Sequence, residues 1–336
     1  MTTRPPLFTF DTYVVTDLTV STGANLGDPI GSADAAIMGD IYLLRRTANC
    51  LKISICDSPS SGQEVADGSQ IGTPGDKVTL ELCHTLMAPD GSLVELLLLK
   101  LTGDKDTLRL ILPLATLEPN TEYELLDTEV DAAPRRFADI ASVSFLWGTH
   151  LTRADGRQTP VEDLLEGDRL LTRDHGVQTI RWIGHKTVRA TGSMAPVRIS
   201  EGTLNVARDL RLSPHHRLFI FQRHDEIGAG RAEVMVKAGY LLNGQSVVQE
   251  KGGFIDTYTL LFDHHVIIYA EGIAVESLLV TDGTRAGLPK DIKLSRSAEG
   301  RLYATTIEVT RSSFDDEPED AVVRLTRASR GQIKPR

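Results

Sequence analysis

The second half of this chain is organised around Ser144-Phe145-Leu146-Trp147-Gly148-Thr149. Two later segments, Ser213-Pro214-His215-His216 and Asp263-His264-His265, supply hydroxyl, imidazole and carboxyl groups that suit partners of a serine side chain. Such groups donate and accept protons, and stabilise developing charge, in acyl-transfer reactions. The three segments together predict one reactive site centred on Ser144.

These segments resemble the motifs of the Hint domain, the autoprocessing module of Hedgehog proteins and inteins, in its bacterial form. The resemblance covers residues 140 to 285 and includes Glu166-Gly167-Asp168, a turn that precedes a strand in Hint domains. It implies an all-β module whose first residue, usually a cysteine, attacks the peptide bond before it. Ser144 occupies that position here, so the resemblance implies cleavage at Val143-Ser144.

The resemblance also implies roles for the second segment. Ser213 and His216 take the places of the threonine and histidine in the Thr-x-x-His block of Hint domains. His216 would then donate a proton to the leaving amide nitrogen, and Ser213 would help to hold the developing charge. His215 is expected to point away from His216 if the segment is extended, since successive side chains alternate along a strand.

Three residues are candidates for the base that activates Ser144. A base matters more here than in a cysteine module, because an alcohol is far less acidic than a thiol. His265 matches the histidine of the late Hint block, Asp263 precedes it, and His185 falls near an aspartate with which Hedgehog proteins activate a sterol. A surface turn in which Asp263 pairs with a histidine is an equally good reading of the late segment.

The end of the resembling region predicts cleavage without splicing. Inteins end in Val-His-Asn, and the asparagine cyclises to free the downstream segment. The matching residues here are Val275-Glu276-Ser277, so the histidine and the asparagine are both missing. An N-to-O acyl shift that releases the N-terminal domain by hydrolysis or acyl transfer therefore remains, as a single-turnover self-processing event.

Two alternatives belong to other classes of function. A Cys-to-Ser change, natural or engineered, would leave an inactive Hint-fold module that acts as an interaction or packaging domain. A conventional serine hydrolase is disfavoured, because the sequence lacks the Gly-x-Ser-x-Gly string that builds a nucleophile elbow.

Composition narrows the possible partners. The net charge of -10 over 336 residues argues against nucleic-acid binding, which needs a basic face to neutralise phosphates. No apolar run is long enough to predict a membrane span. The N-terminus lacks a signal-peptide pattern, so the expected location is cytoplasmic, or outside the cell by a signal-independent route. The expected substrate is the chain's own peptide bond, with water or an external nucleophile as acceptor.

The cysteines predict neither a metal site nor a disulfide framework. Cys50, Cys56 and Cys83 all lie in the first third of the chain, without tight pairing, although one bridge remains open. His84, in the alternating segment 78 to 84, is a candidate metal ligand or pH sensor, but a packed histidine is the more economical interpretation because one ligand does not make a site. No metal or other cofactor is expected for the proposed chemistry.

The chain divides into three predicted regions. Short strand patterns separated by Gly, Pro and Ser turns over residues 1 to 140 predict an antiparallel β-sandwich or barrel of unknown role. Residues 141 to 285 form the Hint-like autoprocessing region. Residues 286 to 336 predict closing strands, a short helix and a charged tail.

Overall fold

The computed structural model describes residues 8–58, 62–104, 106–292, 309 and 320–330. The protein is mainly β, as predicted, and its chain divides into two compact units. The first unit contains the described residues of Met1–Ala141 together with Thr191–Ser193 and Thr281–Pro289. The second contains the described residues of Ser142–Ala190, Met194–Val280 and Lys290–Arg336.

Nine strands and two helices build the first unit. The strands are β1 Phe8–Val14, β2 Leu18–Thr22, β3 Ile41–Leu44, β4 Leu51–Ser58, β5 Gly62–Val65, β6 Lys77–Met87, β7 Leu93–Thr102, β8 Thr107–Pro113 and β9 Glu122–Glu129. The helices are α1 Ala133–Ala141 and the single-turn α2 Asp282–Arg285.

Strand β6 closes the first unit into a barrel. Along one edge it pairs with β7, whereas along the other it pairs with β5 at Lys77 and with β9 from Cys83 onward. The ring runs β6-β5-β4-β1-β8-β7 and returns to β6, while β9, β3 and β2 extend the sheet beyond it. The predicted sandwich or barrel is therefore a barrel.

Apolar residues that alternate along these strands fill the core of the first unit, as period-2 side-chain placement requires. The largest fully buried members of this core include Leu18, Leu44, Leu82, Leu96, Leu98, Ile111 and Tyr123. His84 is buried among them, and its ring nitrogens contact the Thr128 hydroxyl at 2.8 Å and the Gly31 carbonyl at 2.9 Å. It is a packed histidine, and none of the three cysteines, all of which the structure describes, forms a disulfide bond.

Fourteen strands and one helix build the second unit over the ranges that the structure describes. The strands are β10 Phe145–Leu146, β11 His150–Thr152, β12 Gln158–Pro160, β13 Arg169–Leu171, β14 Val177–Thr179, β15 Trp182–Arg189, β16 Val197–Ile199, β17 Leu210–Leu212, β18 Arg217–Phe221, β19 Glu233–Lys237, β20 Val247–Gln249, β21 Phe254–Leu261, β22 Ile267–Ala270 and β23 Ile273–Glu276. The helix is α3 Ala321–Arg330.

Two six-stranded antiparallel sheets carry most of this unit. One has the order β15-β21-β10-β17-β16-β20 and the other β12-β11-β22-β23-β18-β19, with β13 and β14 as a separate hairpin. Their buried faces share one apolar cluster, to which Val309 and the helix residues Val322 and Leu325 also belong. The predicted closing strands after Ile292 lie outside the described residues.

The turn at Gly167 shows why Asp168 is structural. Gly167 has a φ of +92°, which a glycine adopts without strain. The Asp168 carboxylate accepts two hydrogen bonds from the Arg153 guanidinium, at 3.0 and 2.6 Å, and one from the Leu165 amide at 3.0 Å.

Among the described helices, none is long and apolar enough to span a membrane.

Candidate functional site

Ser144 lies at the start of a central strand. The next residue, Phe145, pairs with Leu212 on β17 on one side and with Tyr258 on β21 on the other. Phe145 is buried with only 1% exposure, so it anchors this end of β10 in the core. Ser144 itself is half-buried, and Val143 before it is buried. The main chain on both sides of the predicted cleavage point is thereby held in place.

The segment after β17 is a tight turn and not an extended strand. The His216 amide donates to the Ser213 carbonyl at 3.0 Å, which closes a four-residue turn with Pro214 in its second position. Proline suits that position because its ring fixes φ near the value that the turn needs. The segment is therefore not extended, and the alternation of His215 with His216 that an extended segment would give does not apply. Burial, followed by the charges of Lys237 and Arg217, lowers the pKa of His215.

This turn brings Ser213 and His216 onto the main chain of Ser144. The Ser213 amide lies 3.4 Å from the Ser144 carbonyl oxygen, and Nδ1 of His216 lies 3.3 Å from the same atom. The Ser213 hydroxyl is buried and finds no hydrogen-bond partner among the described residues. A buried hydroxyl without a partner costs free energy, and it keeps its capacity to donate one hydrogen bond.

His216 is held from its other ring nitrogen as well. Nε2 lies 2.9 Å from the carbonyl oxygen of Glu276, and the ring meets that of Phe145 edge to face at a centroid distance of 4.8 Å. A carbonyl oxygen only accepts hydrogen bonds, so the imidazolium, with a proton on each nitrogen, satisfies both contacts. Burial opposes that charge and lowers the pKa of His216, whereas the carboxylate of Glu276 raises it.

Glu276 is the central charge of the site. It is fully buried, and its carboxylate accepts from the Arg217 amide at 2.8 Å and from Nη1 of Arg217 at 2.9 Å. Burial alone would raise its pKa, but Arg217, His265 and His216 together outweigh burial and hold the pKa at about 2. The carboxylate is therefore ionised at neutral pH and faces two histidines.

Sequence reasoning missed this role for Glu276. It treated residue 276 only as the place where an intein histidine is missing. The available signal was a carboxylate at the end of the apolar strand Ile273–Glu276, since a charged side chain in such a run is rarely buried without a partner. Ser277, which stands where inteins carry asparagine, is also buried, and its hydroxyl accepts a hydrogen bond from the Val266 amide at 3.0 Å.

The three candidate bases contact other groups. His265 is nearly buried, and its Nε2 lies 3.3 Å from Oε2 of Glu276, close enough for an ion pair but without the alignment of a hydrogen bond. Asp263 pairs with Arg181 at 3.2 Å. Among the described residues, none hydrogen-bonds to the hydroxyl of Ser144.

His185 lies two strands away from Ser144. It is half-exposed on β15, where its ring stacks on Tyr258 at 4.7 Å and its Nε2 contacts the Asp256 carboxylate at 3.3 Å. Tyr258 in turn is the β21 partner of Phe145. The structure thus brings Ser144, Ser213 and His216 together. His265 contacts the carboxylate of Glu276. His185 and Asp263 contact Asp256 and Arg181.

Part of this chain is similar to known proteins. The family model of the Hint domain matches residues 143–282. A crystal structure of a variant of the Ssp DnaB mini-intein is 11% identical, with 42% of this chain and 97% of that chain covered and a TM-score of 0.29. A mutant of that variant is 10% identical, with 40% and 99% covered and a TM-score of 0.27. None of the curated proteins matches the sequence significantly. The chain therefore carries a Hint domain over residues 143–282.

Proposed function

We propose that the Hint domain cleaves its own chain at Val143-Ser144 through an N-to-O acyl shift. The Ser144 hydroxyl oxygen attacks the Val143 carbonyl carbon and forms a C–O bond, after which the C–N bond between the two residues breaks. The hydroxyl proton leaves to solvent, and the departing nitrogen takes a proton from His216. The product of this step is an ester between Val143 and the Ser144 side chain.

One observation supports the proposal most directly. The turn from Ser213 to His216 places the imidazole of His216 and the backbone amide of Ser213 next to the carbonyl oxygen of Ser144. The nitrogen that must leave belongs to that same residue. A proton donor within reach of the leaving group and an unpartnered hydroxyl beside it are what the shift requires, because both the amine and the transient oxyanion need hydrogen bonds.

The ester has two fates. Water attacks it to leave a carboxylate on Val143 and a free amine and hydroxyl on Ser144, or an external nucleophile takes the acyl group instead. Splicing is not part of the proposal, because Ser277 has no side-chain amide that could cyclise at the downstream junction. The reaction turns over once for each chain and uses only the residues of this site.

Solvent is the proposed acceptor of the Ser144 proton. A base role for His185, Asp263 or His265 requires the side chain to reach the Ser144 hydroxyl. Two of them are engaged with Asp256 and Arg181, and His265 is buried against Glu276. We assign these three residues supporting roles, with His265 acting through Glu276 on the charge of His216.

The test is the intact mass of freshly purified full-length chain, with and without hydroxylamine, which attacks esters. Ser144→Cys and Ser144→Ala change the nucleophile, and Ser142→Ala is the matched control because it removes a neighbouring hydroxyl two residues away. We expect cleavage before residue 144 in the parent, the Cys variant and the control, with no cleavage in Ser144→Ala.

Other outcomes separate the alternatives. An intact parent with a cleaving Cys variant would show a competent scaffold with a silent serine. If parent, Cys and Ala forms all stay whole, self-processing is wrong, and the Hint fold serves here as an interaction or packaging module.

A further inference from the structure

The first unit contains two pieces of chain that follow the proposed cleavage point. Residues 281–289, which we call the strap, and residues 191–193 both belong to the compact unit that contains the N-terminal barrel. Cleavage at Val143-Ser144 would place the barrel and α1 in one fragment and the strap in the other. The barrel would then be completed by a segment to which it is no longer covalently joined.

The strap is built to fit the barrel closely. Its helix α2 begins with a capping box, in which Thr281 and Thr284 each hydrogen-bond the other's amide. Gly283 is buried, and a Cβ atom there would lie 2.8 Å from Nε2 of Gln63 and 2.9 Å from the ring of Phe137. Real Cβ atoms do not come this close to other atoms, so a side chain at residue 283 would force Gln63 and the ring of Phe137 to shift.

Polar contacts fix the register of the strap. The amide of Asp282 donates to the carboxylate of Asp57 at 3.0 Å. Asp57 and Gln63 are direct cross-strand partners on β4 and β5. The strap therefore contacts two neighbouring residues on one patch of the barrel. Further along, Gly287 approaches the Cβ of Ala138 on α1, where an added Cβ would lie at 3.2 Å.

Residues 191–193 make a second close approach. Gly192 has a φ of +51°, and a Cβ added to it would lie 2.7 Å from the Cα of Ala115 and 2.8 Å from the Leu114 carbonyl oxygen. Two separate glycines, from two loops downstream of Ser144, thus contact the barrel at distances that side chains would block.

On the basis of the proposed cleavage, we infer that the N-terminal fragment stays bound after the peptide bond is broken, because the barrel patch formed by Asp57, Gln63 and Phe137 holds the strap of the C-terminal fragment. Breaking one bond at Val143-Ser144 removes none of these contacts. It converts an intramolecular contact into one between two chains, so dissociation now depends on the strength of the strap. The product is a nicked complex, and departure of the barrel is a separate step.

The experiment cuts the chain without using Ser144. A protease recognition sequence is inserted between Ser142 and Val143 of the full-length Ser144→Ala chain, which cannot process itself through the proposed route. After digestion, native size-exclusion chromatography followed by a denaturing gel shows whether the two fragments travel together. The uncut protein, run in parallel, reports whether the insertion disturbs the fold.

Two variants test the strap itself. Gly283→Leu adds bulk against Phe137 and Gln63, whereas Ala286→Leu places the same side chain at an exposed position of the same strap. Overpacking a close contact is destabilising, so we expect the first variant to weaken fragment association by about tenfold or more and the second to leave it unchanged.

The inference is overturned if the nicked parent separates on the column, or if Gly283→Leu binds as tightly as the parent. Either result would stand whether or not Ser144 is a working nucleophile, because the added protease makes the cut. Conversely, a parent chain that fails to process itself would refute the acyl shift and leave the docking of the strap intact.

Discussion

Nε2 of His216 lies 2.9 Å from the carbonyl oxygen of Glu276, so this nitrogen carries a proton whatever the charge of the ring. The state of Nδ1 then decides what His216 does toward Ser144, whose carbonyl oxygen is 3.3 Å away. With a proton on Nδ1 the ring is an acid, and without it the ring is a base. The proposed mechanism needs the acid.

This relationship predicts the pH dependence of cleavage. Burial lowers the pKa of His216 from its ordinary value near 6.5, so the acid form is lost as the pH rises through a midpoint below that value. We expect the initial rate of cleavage, followed by intact mass, to fall across that midpoint. His216→Gln should be slow at every pH and show no step. A rate that instead rises through the midpoint would show that the neutral ring acts as a base.

The buried pair of Glu276 and Arg217 predicts a large stability effect. Glu276→Gln removes the carboxylate that pairs with the buried guanidinium of Arg217, and breaking a buried pair in this way typically costs about 3–5 kcal/mol. Glu201→Gln, at an exposed position of the same unit, should change stability by less than about 0.5 kcal/mol. Chemical denaturation of the Ser144→Ala chain, which keeps the peptide bond intact, measures both. Equal effects from the two variants would contradict the assigned role of Glu276.

Removing the hydroxyl of Ser213 should slow cleavage without lowering the stability of the fold. Its hydroxyl is buried without a partner, so Ser213→Ala should leave the free energy of unfolding unchanged or slightly higher. If the hydroxyl holds the oxyanion, the same change should slow cleavage by about 10²–10³-fold.

Ser213→Thr is the matched control, because it keeps the hydroxyl. Retention of most of the parent rate is expected for the Thr variant. An Ala variant that cleaves at the parent rate would remove Ser213 from the mechanism.

Local patterns and motif resemblance account for much of this protein. The mostly apolar stretch 93–99 predicts a buried strand, and β7 covers it, with Leu96 to Leu99 fully buried. The resemblance to Hint motifs grouped Ser144, Ser213 and His216, and these residues lie close together in the structure. The geometry of the turn was less accessible: Pro214 bends the segment that alternation alone would extend.

The remaining features depend on contacts between residues far apart in sequence. The closure of the barrel requires β6 to pair with three strands, which no local pattern encodes. The charge of Glu276 is compensated by Arg217, 59 residues away along the chain. The strap packs on Asp57 across 225 residues. Burial of these groups follows from tertiary packing, so only the folded structure reveals their roles.

The strap gives the last prediction, a pH dependence of fragment association. Burial raises the pKa of Asp57 from 3.8 to about 6, while the hydrogen bond from the Asp282 amide opposes that rise. We expect the docked strap to supply that burial, in which case the docked state binds the proton more tightly than the undocked state. Stabilisation from this group is therefore full below pH 3.8 and is lost as the pH rises through about 6.

The nicked complex should accordingly dissociate less on dilution at pH about 4.5 than at pH about 7.5. Asp57→Asn keeps an oxygen that accepts from Asp282 but cannot ionise, so the step between these two pH values should disappear. Asp34→Asn, at an exposed position of the same unit, should retain it. Tighter association at the higher pH would mean that the strap binds the ionised carboxylate, in which case the Asp282 amide, and not burial, governs the contact.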